Sequence, residues 1–204
     1  MRSSEYAALA ALVVPLMVCS PRLGLAAQQP IRIDSVTALR ILSLPSSLLR
    51  EDSKVSTAKQ RDGVVDTLVA IALSSAASST DERRSVSKSA VMMLGTASSL
   101  GTRRAIPALS RVARFAPDDS VARVATVVLA GSADTTGAVA ALRELALLPR
   151  HQGLAIDLIT VAYGRLPIGR DALRALYFSD KITDPRARAS LDRWREEFGP
   201  RPPR

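Results

Sequence analysis

Two stretches of the chain carry apolar residues on the same beat. In "ERRSVSKSAVMMLG", Val86, Ala90, Met93 and Leu94 are spaced by steps of four, three and one, and Val121, Ala125, Val128 and Leu129 repeat those steps in "DDSVARVATVVLAG". A helix turns once per about 3.6 residues, so this spacing puts all four side chains on one face. The template fits again at Leu154, Leu158, Val161 and Ala162, and more loosely at Ala187, Leu191 and Trp194. A second series lies between these stretches: Val65, Leu68, Ile71 and Ala72; Ile106, Leu109, Val112 and Ala113; Val139, Leu142, Leu145 and Ala146; then Leu173 and Leu176. The pattern predicts alternating first and second helices, each with one buried stripe.

The residues between the stripes read as helix ends. Asp118 or Asp119, and Asp184, stand where an N-cap accepts the free N–H groups of a first turn. Pro185 follows at the first helical position, and Pro107 falls in a first turn, where a missing N–H does no harm. Gly95, Gly131 and Gly164 stand where each first helix is expected to stop in a left-handed residue. Each unit is then a pair of antiparallel helices, recurring about every 33–37 residues. One pair cannot bury its own stripes, whereas stacked pairs can. The predicted fold class is all-α, an α-solenoid of about four to five stacked antiparallel helix pairs.

These pairs resemble HEAT repeats, including the short HEAT-like repeats first associated with bilin lyases. The resemblance rests on "DDSVARVATVVLAG" followed by "AVAALRELA", and on "ERRSVSKSAVMMLG" followed by "RAIPALSRVARFA", and it covers roughly residues 64–199. Tetratricopeptide repeats have a similar period, but their aromatic-rich pattern is missing. The HEAT resemblance implies a curved right-handed stack with second helices on its concave side, and it implies protein binding or scaffolding. It does not carry a tetrapyrrole over to this chain, because no aromatic-rich cofactor pocket is evident and no cofactor is expected.

Other segments depart from the beat. Residues 31–44 miss it, since Arg40 falls where Ala90 would, and are expected to form an irregular N-terminal cap. Residues 44–56 read as a turn with a short helix or loop, and "SSAASSTDERR" (residues 74–84) as a longer, mobile connection. "GPRPPR" (residues 199–204) cannot continue a helix and is expected to fray.

The N-terminus reads as an export signal. Residues 6–18 are apolar but fall short of the roughly 20 residues a helix needs to cross a bilayer, and small residues at Gly24 and Ala26 suit cleavage after Ala26 or Ala27. The expected organisation is a signal peptide at 1–27, a HEAT-like domain at 28–199 and a disordered tail at 200–204, with a periplasmic or secreted location. Membrane attachment is expected only if the signal stays uncleaved or Cys19 is lipidated, and Val18 disfavours the latter. Cys19 is the one cysteine, so a mature chain without it has no disulfide or thiolate chemistry.

Charge narrows the partners more than it narrows the fold. The net charge is +9, mostly from Arg. Such a charge often marks nucleic-acid binding, but an exported protein rarely meets nucleic acid. A protein partner or an acidic envelope polymer is expected instead. Arg104, Arg111 and Arg114 fall opposite the stripe of their helix, with Arg143 and Arg174 near the same face of later second helices. Arg pairs carboxylates and phosphates bidentately, so these five form a candidate basic face, interrupted by Glu144.

No catalytic or metal-binding constellation emerges, and no enzyme activity is expected. His151, alone near a turn, is expected to be solvated or capping. Asp62 and Asp66, four apart, read as solvated surface charge. The expected function is a non-enzymatic scaffold or adaptor. The alternatives are a structural accessory subunit of an envelope complex and an auxiliary domain of an enzyme.

Overall fold

The computed structural model describes Leu42, Ser43, Leu49, residues 57–74 and residues 81–201. The expected signal peptide therefore lies outside the described residues, as do residues 202–204 and all of the expected N-terminal cap except Leu42 and Ser43.

Among the described residues all regular structure is helical. The helices are α1 (Ala58–Leu73), α2 (Asp81–Ser99), α3 (Ala105–Phe115), α4 (Asp119–Ala130), α5 (Thr135–Ala146), α6 (Gln152–Leu158), α7 (Pro167–Tyr177), α8 (Pro185–Asp192) and the short α9 (Arg195–Phe198). Local chemistry sets most of the starts. Thr57 and Gln60 close a capping box on α1, each side chain bonding the other's backbone N–H. Asp118 and Asp184 cap α4 and α8 as the sequence predicts, and Asp134 caps α5. Proline occupies the start of α7 and of α8, where its missing N–H costs nothing.

The helices form two rows. Helices α1, α3, α5 and α7 pack side by side in one row, and α2, α4, α6 and α8 in the other. Neighbours in sequence pack across the rows, with a π-helical segment after α6 (Ile159–Tyr163) making the contact to α7. The apolar stripes meet between the rows in one continuous core. Leu68, Leu109 and Leu142 in one row, and Leu94 and Leu129 in the other, are fully buried there.

Polar contacts repeat with the same spacing as the stripes. Ser98 pairs with Ser132 at 2.5 Å, Arg150 Nη1 donates to the Ala116 carbonyl at 2.8 Å, and the Ser190 hydroxyl donates to Asp157 at 2.9 Å. The partners are 34, 34 and 33 residues apart. Corresponding positions of successive pairs therefore lie against each other.

The structure corrects several sequence expectations. The stripe expected at Leu154, Leu158, Val161 and Ala162 is out of phase. Ala155, Ile156, Ile159 and Tyr163 are buried instead, and Val161 is 85% exposed. Steps of three and four from Ile156 through Ile159 keep Tyr163, in the π-helical segment, on the same buried face. The Tyr163 hydroxyl then donates to the Ala130 carbonyl at the end of α4.

Of the glycine stops, Gly131 and Gly164 do end their helical segments, but not in the expected conformation, and Gly95 is no stop. Gly95 lies inside α2, which runs on to Ser99, and Gly131 and Gly164 have φ of −89° and −60°, outside the left-handed region. The left-handed stop of α2 is Gly101, with φ 83°. There Gly101 N–H bonds the Ser98 carbonyl at 3.2 Å and Thr102 N–H bonds the Ala97 carbonyl at 3.0 Å, the double closure of a Schellman end. At Gly95 a side chain would strike Val128, so glycine there lets α2 and α4 approach closely.

The remaining corrections concern the segments off the beat. Helix α2 already begins at Asp81, so the expected mobile connection excludes residues 81–84, while residues 75–80 lie outside the described residues. The expected fraying does not reach Arg201. Its guanidinium sits 4.1 Å from the Tyr177 ring centre and its Nε donates to the Tyr177 carbonyl at 2.9 Å, while the Tyr177 hydroxyl bonds the Gly199 carbonyl at 3.0 Å.

Candidate functional site

All five arginines of the expected basic face are exposed, and two of them are met by acidic side chains. Arg104, in the turn before α3, reaches back to α1. Its guanidinium lies 3.0 Å from Asp66 and 3.5 Å from Asp62. The two carboxylates are thus partners of one arginine rather than a catalytic pair. Arg114, near the end of α3, pairs with Glu144 of α5 at 3.1 Å. Arg143 on α5 and Arg174 on α7 make no ion pair among the described residues. Acidic neighbours therefore offset the charge of Arg104 and Arg114.

Arg111 and Arg114 share an open groove of about 430 Å³ between α3 and α5. The groove follows from side-chain size. Helix α5 offers Gly137, Ala140 and Ala141 toward α3, too small to fill the space against Ile106 and Pro107. The lining is therefore mainly apolar, with Arg111, Arg114 and Glu144 supplying its charge. Phe115, which also lines it, is 64% exposed. An exposed ring beside an apolar cleft with arginines resembles the anchor composition of protein interfaces, where aromatic residues and Arg are enriched. Phe115 was not singled out from the sequence. Its signal is a Phe two residues past the last stripe position of α3, off the buried beat.

A second exposed apolar set lies on the other row. Met92 on α2, Val127 on α4 and Val161 in the π-helical segment are 57%, 50% and 85% exposed.

His151 departs from expectation. It is neither solvated nor capping: it is 2% exposed, and its side chain makes no cap bond to α6. Burial, with the Arg150 charge beside it, pushes its pKa below the ordinary 6.5. Asp118 is held well below the usual carboxylate range, first by the Ser120 hydroxyl and then by Arg84. Burial pushes the Tyr163 hydroxyl above its ordinary 10.0. None of these three residues lines the groove.

Among the described residues no group of three or more His, Cys, Asp or Glu side chains could hold a metal ion. No helix among them is long and apolar enough to cross a membrane. Set against family models, curated proteins and solved structures, the chain matches none of them.

Proposed function

We propose that the protein is an exported, non-enzymatic α-solenoid of HEAT-like helix pairs that serves as a protein-binding scaffold. The partner docks on the row formed by α1, α3, α5 and α7, with the groove between α3 and α5 as its anchor. The observation that carries this reading is the groove itself: an apolar lining, a half-open aromatic at Phe115, and two arginines. Supporting it, successive pairs repeat their lateral contacts at separations of 33–34 residues, as an array built on one packing solution requires. Arg143 and Arg174, on neighbouring helices of that row, extend the positive charge beyond the groove.

The test is to isolate the stoichiometric partner from the envelope fraction and compare wild type with Phe115→Ala and with an Arg111→Glu, Arg143→Glu, Arg174→Glu triple variant. Phe115→Ala should weaken binding at least tenfold. The charge reversal should weaken it further and flatten its salt dependence. Unchanged affinity in both variants defeats the reading.

The alternative of an accessory subunit held by apolar contacts is favoured by the exposed set Met92, Val127 and Val161. Salt-insensitive binding that is lost on Val127→Asp and kept on Phe115→Ala would select it.

A further inference from the structure

Two residues flanking His151 tie neighbouring helix pairs together at the turn before α6. Arg150 reaches back. Its Nη1 donates to the Ala116 carbonyl at 2.8 Å and its Nη2 lies 2.5 Å from Asp119, so it spans the turn between α3 and α4. Gln152 reaches forward. Its Nε2 donates to the Lys181 carbonyl at 2.8 Å, and its Oε1 accepts from the Thr183 and Asp184 N–H groups at 2.9 and 2.8 Å, so it holds the loop between α7 and α8. His151 lies between them, buried, with neither ring nitrogen hydrogen-bonded.

We propose that this turn is an acid-released latch, with His151 as the group that releases it. The ring contributes packing alone, and its backbone carries the turn: His151 N–H bonds the Leu148 carbonyl and its carbonyl accepts from Ala155 N–H, both at 2.9 Å. A neutral imidazole left without partners is tolerated at some cost. An imidazolium costs far more, because both nitrogens become donors, neither has a hydrogen-bond partner in place, and the charge is buried beside Arg150.

Burial works most strongly against protonation, and the groups around the ring pull in opposite directions. From its own turn comes the Arg150 guanidinium, a like charge. From α4 comes the Asp119 carboxylate, which favours the cation but is already engaged by Arg150. From α3 comes the Ala113 carbonyl, which pulls the same way as Asp119, although neither ring nitrogen has a hydrogen-bond partner in place. The ring gains its proton easily only by leaving the pocket for water. Protons therefore bind the opened turn in preference to the closed one. Opening is favoured by up to tenfold per pH unit below 6.5, until the closed ring itself protonates. The latch works whatever the groove binds.

As the chain's one histidine, His151 gives an unambiguous ring signal. The experiment follows that signal by NMR in the full mature chain from pH 8 to 4.5, alongside amide hydrogen exchange corrected for its intrinsic pH dependence. The closed ring should titrate clearly below 6.5. Exchange at residues 113–119 and 148–155 should accelerate up to tenfold per unit as the pH falls, and His151→Phe should abolish that acceleration. Arg150→Met, a second variant, should move the ring titration upward by removing the like charge. A native ring that titrates at 6.5, or opening at these residues that is independent of pH, overturns the latch. So does the same acceleration in His151→Phe. If His151→Phe does not fold, the wild-type titration and Arg150→Met decide.

Discussion

Arg84 Nε donates to Asp118 Oδ2 at 2.7 Å, joining α2 to the cap of α4 across 34 residues of chain. Asp118 uses its other oxygen for the cap, accepting from the Ser120 and Val121 N–H groups at 2.7 and 3.3 Å. One carboxylate thus starts a helix and fixes where the preceding pair lies against it. Asp118→Ala should cost about 1–2 kcal/mol from the cap alone, with the lost ion pair adding to it. Asp118→Asn, which keeps a capping oxygen, should cost clearly less. Urea unfolding of both variants checks the order.

The same residue sets an acid limit. Its folded pKa is depressed, so the unfolded chain takes up the proton first as pH falls. The stability it contributes is complete above the ordinary value of 3.8 and is lost progressively below it. Thermal unfolding between pH 5 and pH 2 should show a fall that Asp118→Asn reduces. This window lies below the one in which His151 acts, so the two groups separate in a single pH series.

Gly169→Ala should be among the most damaging single-methyl changes. Its new Cβ would overlap the Tyr163 carbonyl, a backbone atom that cannot rotate away. Over-packing of this kind costs about 1–3 kcal/mol or more, against a gain of about 1 kcal/mol in helix propensity. The net loss should appear as a lowered urea midpoint. Gly131→Ala, which meets only ordinary contact, should be close to neutral by comparison.

Tyr163→Phe tests the π turn. The hydroxyl is the partner of the Ala130 carbonyl, and its loss leaves that group short of a donor. A cost of about 1–2 kcal/mol is expected in equilibrium unfolding.

Arg104→Ala should matter little to stability despite facing two carboxylates. The pair is about half exposed on both sides, and such pairs contribute roughly 0–1 kcal/mol. A loss above about 1.5 kcal/mol would show that Arg104 braces α1 against α3 more firmly than its exposure allows.

The helices were legible because their signals are local. A stripe at steps of three and four, a capping Asp and an N-terminal Pro act within a turn or two, and Val65, Leu109, Leu142, Leu173 and Leu191 are all buried where the beat puts them. The Thr57–Gln60 box was equally present as a Thr-x-x-Gln pattern but lay beyond the segment in which the repeat was read. Phe115 shows in the sequence only as an aromatic off the buried beat, and the small residues of α5 do not mark a groove by themselves, because a groove is the space that two helices distant in sequence fail to fill.

By itself the sequence determined that the described elements are helices, the faces that most of them bury and the caps at Asp118 and Asp184, since these follow from bonds and spacings within a few residues. Only the tertiary structure decided that Arg104 and Arg114 would be met by acids, that Gly95 would serve close packing rather than a stop, and that His151 would be dry. Each of those outcomes depends on which side chain arrives from a helix some thirty residues away, and no local pattern encodes that meeting.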